Sequence, residues 1–355
     1  MIEVKLPDIC RIQYGFAFDS AQFSVTTGTP LIRIRDVVRG YSETYTTEQC
    51  SEEYVVNNGD LLVGMDGEFN IARWKGGPAL LNQRVCRLFP KDNVDRSYLF
   101  YFMPRALKQI EDKTPFVTVK HLSARQLNSI IVPLPTLEEQ IRIASTLNNL
   151  NNLISLRKQQ LAKLNELVKA RFVEMFGDST TNSKELKIVR LSEIAEYFNG
   201  LTYRPENVSD VGTIVLRSSN IQGNQLDFAD TVRVNCQIKE RLFVKENDIL
   251  MCSRNGSARL VGKVALIKGL NEPMSFGAFM MIIRSQYYPY LMTYFQTDDF
   301  RRQIKTGATT TINQVTGRML DEVELPVPKL GDMTAFATFT EKIFRQKLTI
   351  QQSLD

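Results

Sequence analysis

The sequence has only one histidine, His121, in 355 residues. Its five cysteines stand far apart, as Cys10, Cys50, Cys86, Cys236 and Cys252. One imidazole and scattered thiols do not make an ordinary zinc site. A histidine relay would rest on His121 alone, and no nucleophile motif lies near it. An odd cysteine count without C-x-x-C reads as reduced thiols in a cytoplasmic protein. No apolar run approaches the ~18 residues of a membrane helix, so no membrane association is expected. The start, Met1-Ile2-Glu3-Val4-Lys5, lacks the basic-then-apolar pattern of a signal peptide. Charge of one sign is also scarce: the net is +5 and the pI near 8.8, with no basic tail. A nucleic-acid binder of this balance needs local arginine clusters or partner subunits to attract phosphates.

Catalytic sets are missing as well. There is no [DN]-P-P-[YF] motif to hold a target amine, and no glycine-rich loop placed for S-adenosylmethionine. Gly256 and Gly262-Lys263 approach a P-loop, but the spacing is one residue too long and Val264 stands where a metal-binding hydroxyl is needed. Glu185-Leu186-Lys187 has the E-x-K spacing of many nucleases without the upstream acid. No reaction class finds a complete set of groups.

What is present is a repeat. Residues 4–135 and 189–328 follow one programme. Val4-Lys5-Leu6 matches Val189-Arg190-Leu191, and Gly15 matches Gly200. Two β-like runs follow, Pro30 to Val37 and Ile214 to Ile221. Asn58-Gly59-Asp60-Leu61-Leu62 matches Glu246-Asn247-Asp248-Ile249-Leu250. Tyr98-Leu99 and Tyr290-Leu291 open helical patterns, Thr118 to Leu122 matches Thr311 to Val315, and Pro133-Leu134-Pro135 matches Pro326-Val327-Pro328.

After the first P-x-P, Thr136-Leu137-Glu138-Glu139 is a capping box. The spacing predicts a helix from there to Phe176, stopped at Gly177. Leu147, Ile154, Leu161, Val168 and Met175 recur every seven residues, with Leu150 and Leu164 at offset positions, as in a coiled-coil seam. Arg157 and Arg171 interrupt it and should snorkel outward. Within the chain, only the segment after Pro328 can partner this seam. It is shorter, which leaves Leu161 to Met175 without an expected partner. The expected architecture is α+β: two recognition domains of small twisted sheet and short helices at 1–135 and 179–328, a spacer helix at 136–178 and a shortened one at 329–355. A repeated domain suits two half-sites on duplex DNA.

Gly59 to Gly67 followed by Leu80-Leu81-Asn82-Gln83-Arg84-Val85 resembles the target-recognition domain of type I restriction–modification specificity subunits. Val132 to Pro135 running into Glu138-Glu139-Gln140-Ile141 resembles that family's approach to its central helix. The second repeat lacks the Glu-Glu-Gln step and has Lys329 to Thr334 there. The resemblance implies a non-catalytic subunit whose two domains each read half of a gapped, asymmetric DNA site. It implies helices that space the domains and dock two methyltransferase subunits, joined by a motor–endonuclease subunit. S-adenosylmethionine, ATP and Mg2+ would belong to those partners, not to this chain. The shortened second helix also allows self-association. An alternative is a stand-alone duplicated DNA-binding or scaffold protein that dimerises through its helices.

Guanine is read by Arg or Lys and adenine by Asn or Gln, while thymine offers a methyl group. On that chemistry, the candidate readers of the first domain are Arg33, Arg35, Asn82, Gln83, Arg84, Lys120 and His121. Those of the second are Arg217, Asn220, Arg254, Asn255, Asn313 and Gln314. Lys305 and Thr310 suit phosphate contact. Trp74 is given no role.

Overall fold

The structure, a computed structural model, describes residues 2–114, 120–305 and 313–354, with only the main chain of Lys305. Two compact units emerge, Met1–Ser155 and Leu156–Asp355.

In the first unit, β1 (Cys10–Tyr14), β2 (Leu61–Gly64), β3 (Asn70–Arg73) and β4 (Val85–Pro90) form an antiparallel sheet in the order β1-β4-β2-β3. Side chains alternate along each strand, so both faces are covered. Leu61, Val63, Cys86 and Leu88 pack with Leu99, Met103 and Leu107 of α1 (Arg96–Lys113). Leu62 and Val85 turn the other way, into a cluster with Ile32, Val37 and Trp74. Trp74 is a core residue, its indole N–H donating to the Gly77 carbonyl.

The second unit repeats this. β5 (Glu196–Asn199), β6 (Ile249–Cys252), β7 (Val264–Leu266) and β8 (Met280–Arg284) are ordered β5-β8-β6-β7, again antiparallel. Ile249 and Met251 face Tyr290, Leu291 and Tyr294 of α3 (Tyr288–Tyr294). Leu250 and Cys252 face Ile214 and Phe276. Each unit also holds a second, mixed sheet with one parallel pairing, Leu31 with Leu80 and Val215 with Ser275.

Each repeat is closed by its own ends. Val4 pairs with Val132, and Val189 with Leu325. The Tyr98 hydroxyl donates to the Pro133 carbonyl at 2.5 Å, and the Tyr290 hydroxyl to that of Pro326 at 2.5 Å. The two matched tyrosines thus tie the first helical turn after the sheet to the matched prolines.

Two expectations are corrected. The β-like runs are only half strand: they stop at Ile32 and Leu216. At that point the Asp36 carboxylate accepts from the Arg33 N–H, and the Asn220 carbonyl oxygen from the Arg217 N–H. These contacts turn the chain into short helical segments at Ile34–Arg39 and Ser218–Asn220.

The second correction concerns the long helix, α2 (Leu137–Phe176). Its start is capped as expected, with the Glu139 N–H donating to the Thr136 hydroxyl and the Thr136 N–H to Glu139. Gln140 is buried in the first unit, where its amide meets the backbone at Asn93, Asp95 and Pro135. In the second unit, α4 (Leu330–Gln352) runs antiparallel to the end of α2: Phe336 packs on Phe172 and Phe176, and Lys347 donates to Asn165. Leu161, Leu164, Val168 and Met175 are consequently half-buried rather than unpartnered. An antiparallel helix starting beside the second domain covers the far end of α2 first. The bare stretch lies earlier, where Leu150, Leu153, Ile154 and Leu156 are exposed and Leu147 is half-buried. Arg157 and Arg171 do turn outward, onto Gln160 and Glu174.

Candidate nucleic-acid interface

The strongest cluster of polar groups sits where β2 ends, β4 begins and the chain returns through residues 120–122. The loop after β2 pairs with the returning segment: Asp66 bridges His121, the Leu122 N–H donates to the Met65 carbonyl and the Gly67 N–H to that of Lys120. The Met65 N–H in turn donates to the Arg84 carbonyl. Three side chains are thereby brought together. His121 Nδ1 lies 2.5 Å from the Asp66 carboxylate. Arg84 lies 3.5 Å from the other carboxylate oxygen. With Nδ1–H donating to Asp66, that nitrogen has no lone pair for Arg84, 3.4 Å away. The carboxylate therefore holds both. Arg84 and His121 present about half of their side-chain surface to solvent, while Asp66 is mostly covered.

The second unit builds the same backbone with other side chains. Arg254 bridges Gln314, the Val315 N–H donates to the Ser253 carbonyl and the Asn255 N–H to that of Asn313. The Ser253 N–H donates to the Phe279 carbonyl. Position by position, Asp66 corresponds to Arg254, His121 to Gln314 and Arg84 to Phe279. Arg254 donates to the Gln314 carbonyl oxygen at 3.1 Å, and its guanidinium stands 5.8 Å from the Phe279 ring centre. Phe279 is 59% exposed, on a turn, and fills no core.

The other candidates separate into exposed side chains and scaffold. Gln83 is exposed beside Arg84, and Asn313 is exposed beside Gln314. Asn313 donates to the Gly256 carbonyl, while Asn255 accepts from Ser257 N–H and reaches Ser218. Arg33 and Arg35 are exposed but belong to the Ile34–Arg39 helix start, Arg35 against Thr44 and Asp36. Arg217 is paired with Asp230, its Nη2 donating to both carboxylate oxygens.

Three residues expected as readers are scaffold instead. Asn220 is fully buried and gives both amide hydrogens to the Asp227 and Asp230 carbonyls. Asn82 is buried, its side chain accepting from the Gln83 N–H. Lys120 is spent on the Glu111 carbonyl at 2.8 Å. Thr310 and the Lys305 side chain lie outside the described residues.

Asp66 and Phe279 were not foreseen. Asp66 stands in the recognised Gly59–Gly67 string, where an acid reads as a turn residue. Phe279 emerges only when Asn82-Gln83-Arg84 is carried across the repeat onto Gly277-Ala278-Phe279. Among the described residues, no group of His, Cys, Asp and Glu is arranged to hold a metal, and no helix is long and apolar enough to cross a membrane.

The type I restriction modification DNA specificity domain matches this chain twice, over residues 1–166 and 183–354. The chain is 41% identical over 282 residues to the EcoBI specificity subunit of Escherichia coli, covering 70% of this chain and 59% of that protein. It is 22% identical to the MjaVIII specificity subunit of Methanocaldococcus jannaschii, covering 87% of this chain and 80% of that one. The fold is similar to a crystal structure of the type I restriction–modification S subunit of M. genitalium (TM-score 0.61, 13% identity, 99% of this chain and 91% of that one). It is also similar to a chain from a structural study of type I complex assembly and conformational transition (TM-score 0.55, 16% identity, 99% and 92%).

Proposed function

The chain belongs to the type I restriction–modification DNA specificity family, and from that premise we propose that it is the sequence-reading subunit of such a complex, each unit reading one half of a gapped, asymmetric site. The observation that carries this reading is the contrast between the two trios. A shared backbone presents Asp66, Arg84 and His121 in one unit and Arg254, Phe279 and Gln314 in the other. The ties beneath them are shared, Tyr98 and Tyr290 on the matched prolines and Gly15 and Gly200 under the turns, while the exposed groups differ in chemistry, as two readers of different half-sites should.

On this reading the chain is not itself an enzyme. Double-stranded DNA is its ligand, and α2 with α4 sets the distance between half-sites. The exposed Leu150, Leu153, Ile154 and Leu156 dock methyltransferase subunits, two per complex, and a motor–endonuclease subunit completes the assembly. S-adenosylmethionine, ATP and Mg2+ are bound by those subunits, in the cytoplasm. Phosphate attraction is shared with them, since +5 over 355 residues is a weak electrostatic footprint.

The test is co-expression with the neighbouring methyltransferase subunit in a host free of adenine methylation, followed by genome-wide mapping of N6-methyladenine. One two-part gapped motif is expected, and exchange of residues 179–328 for those of another member should change only one half. A complex that methylates nothing, or a chain that binds DNA alone and no methyltransferase, would turn the reading over to the stand-alone DNA-binding protein.

A further inference from the structure

We infer that positions 66/254, 84/279 and 121/314 are the specificity-determining positions of the two units, and that the second unit uses Phe279 to read a thymine by its methyl group. The inference rests on the DNA-reading function proposed above. It adds which side chains read and what chemistry they seek.

The backbone is constant between the two units. In both units the loop after the second sheet strand is hydrogen-bonded to the returning segment and to the turn before the last sheet strand. Side chains at the three positions therefore leave equivalent points of a fixed frame. Several residues that hold the fold are matched in kind: Gly15 with Gly200, Asp60 with Asp248, and Tyr98 with Tyr290. At the three trio positions the chemistry changes completely: carboxylate to guanidinium, guanidinium to phenyl ring, and imidazole to amide.

Each trio then has a division of labour. In the first unit, Asp66 is the positioning residue, and Arg84 and His121 are the exposed groups it holds. Arg84 offers a donor fork suited to guanine O6 and N7. In the second unit no acid is present. Gln314 accepts from Arg254, and Arg254 lies beside the exposed Phe279 ring. An apolar ring cannot hydrogen-bond a base edge. The one major-groove feature it recognises is the thymine methyl, which cytosine and both purines lack. Arg254, held alongside, suits a guanine near that thymine.

The test uses the assembled complex of this chain with its methyltransferase subunits and a duplex carrying the mapped motif. Each thymine of the second half-site is replaced singly by deoxyuridine, which removes only the methyl. At one position the wild-type complex should lose affinity on the order of tenfold, the lower range for a lost base contact. The Phe279→Ala complex should bind more weakly and equally to the two duplexes. Arg84→Ala should relax methylation at one guanine of the first half-site and leave the second half unchanged. Both side chains are exposed, so folding should survive, and an unchanged melting curve checks it. If the wild type is indifferent to every deoxyuridine, or Phe279→Ala still senses the same one, the inference fails while the DNA-reading function stands. If the wild-type complex yields no two-part motif, the function itself fails.

Discussion

Arg284 grips the buried carboxylate of Asp248 with two hydrogen bonds, Nε to Oδ1 at 2.7 Å and Nη2 to Oδ2 at 2.6 Å. The first unit has the same acid, Asp60, but meets it with Arg87 at 2.9 Å. Strand register shows that Arg87 corresponds to Ile282 and Arg284 to Phe89. The arginine has therefore moved two places along the strand, staying on one face, while the acid kept its turn. Both aspartates also accept a turn N–H, from Asn57 and Lys245. Removing Asp248 would strand a guanidinium that is three-quarters covered. Asp248→Ala should cost about 3 kcal/mol, the lower end for a broken buried pair, read as a fall in urea midpoint. A loss under about 0.5 kcal/mol, the scale of an ordinary surface change, would show that the pair is not a structural tie.

Gly15 and Gly200 make the second prediction. A Cβ on Gly15 would collide with the Asn82 carbonyl, and one on Gly200 with the Gly277 carbonyl. These carbonyls belong to the turns that carry Arg84 and Phe279. Gly15→Ala should therefore push the Arg84 turn away from the sheet. We expect loss of the first half of the methylation motif together with lower stability, and Gly200→Ala should do the same to the second half. Unaltered motifs in both variants would show that the turns are not held by these contacts.

Much of this frame was legible in the sequence. Matching Tyr98, Pro133 and Gly15 with their counterparts picked out residues that the structure uses identically, because backbone packing tolerates few side chains there. The capping box at Thr136 located the start of α2 to the residue. The exposed residues of the candidate interface were harder. Asn220 looks like a base reader because amides read adenine, yet its position beside a chain turn makes it a backbone tie. Phe279 looks like core because most phenylalanines are; only its turn and the fold around it expose the ring. The direction of α4 was also invisible, so the stretch of α2 left bare, Leu150 to Leu156 rather than Leu161 to Met175, was misplaced by about four helical turns.

That bare stretch gives the third prediction. Leu150, Leu153, Ile154 and Leu156 are 51%, 56%, 41% and 55% exposed. Changing Leu153 and Ile154 to Gln removes little buried area. Stability of the isolated chain should change by no more than about 0.5 kcal/mol. Co-purification with the methyltransferase subunit should fall sharply if this face docks it. A melting temperature that drops with retained association would mean that the residues are internal to the fold after all.

The last prediction concerns alkaline pH. Burial pushes the Cys10 thiol up from its ordinary 9.0 to about 12, and Cys86 and Cys252 are also raised, chiefly by burial. Burial likewise raises Tyr197, Tyr290 and Tyr294, with Asp321 adding to the first and Asp299 to the other two. All six groups are neutral when protonated, and the folded state holds their protons more tightly than the unfolded chain does. Below about pH 9 both states are protonated at these thiols, and stability is unaffected by them. Above it the unfolded chain releases protons that the folded one retains, so stability must fall as pH rises. Urea midpoints should be flat to about pH 8.5 and then decline towards pH 10.5. The decline should be shallower in a Cys10→Ala, Cys86→Ala double variant, which lacks two of the retained protons. The same burial should protect Cys10, Cys86 and Cys252 from a thiol reagent in the native state, leaving the half-buried Cys50 and Cys236 to react first. A midpoint that rises with pH over this range, or five cysteines that react at one rate, would mean that the thiols are open to solvent and the packing around β1 and β4 is looser than the structure describes.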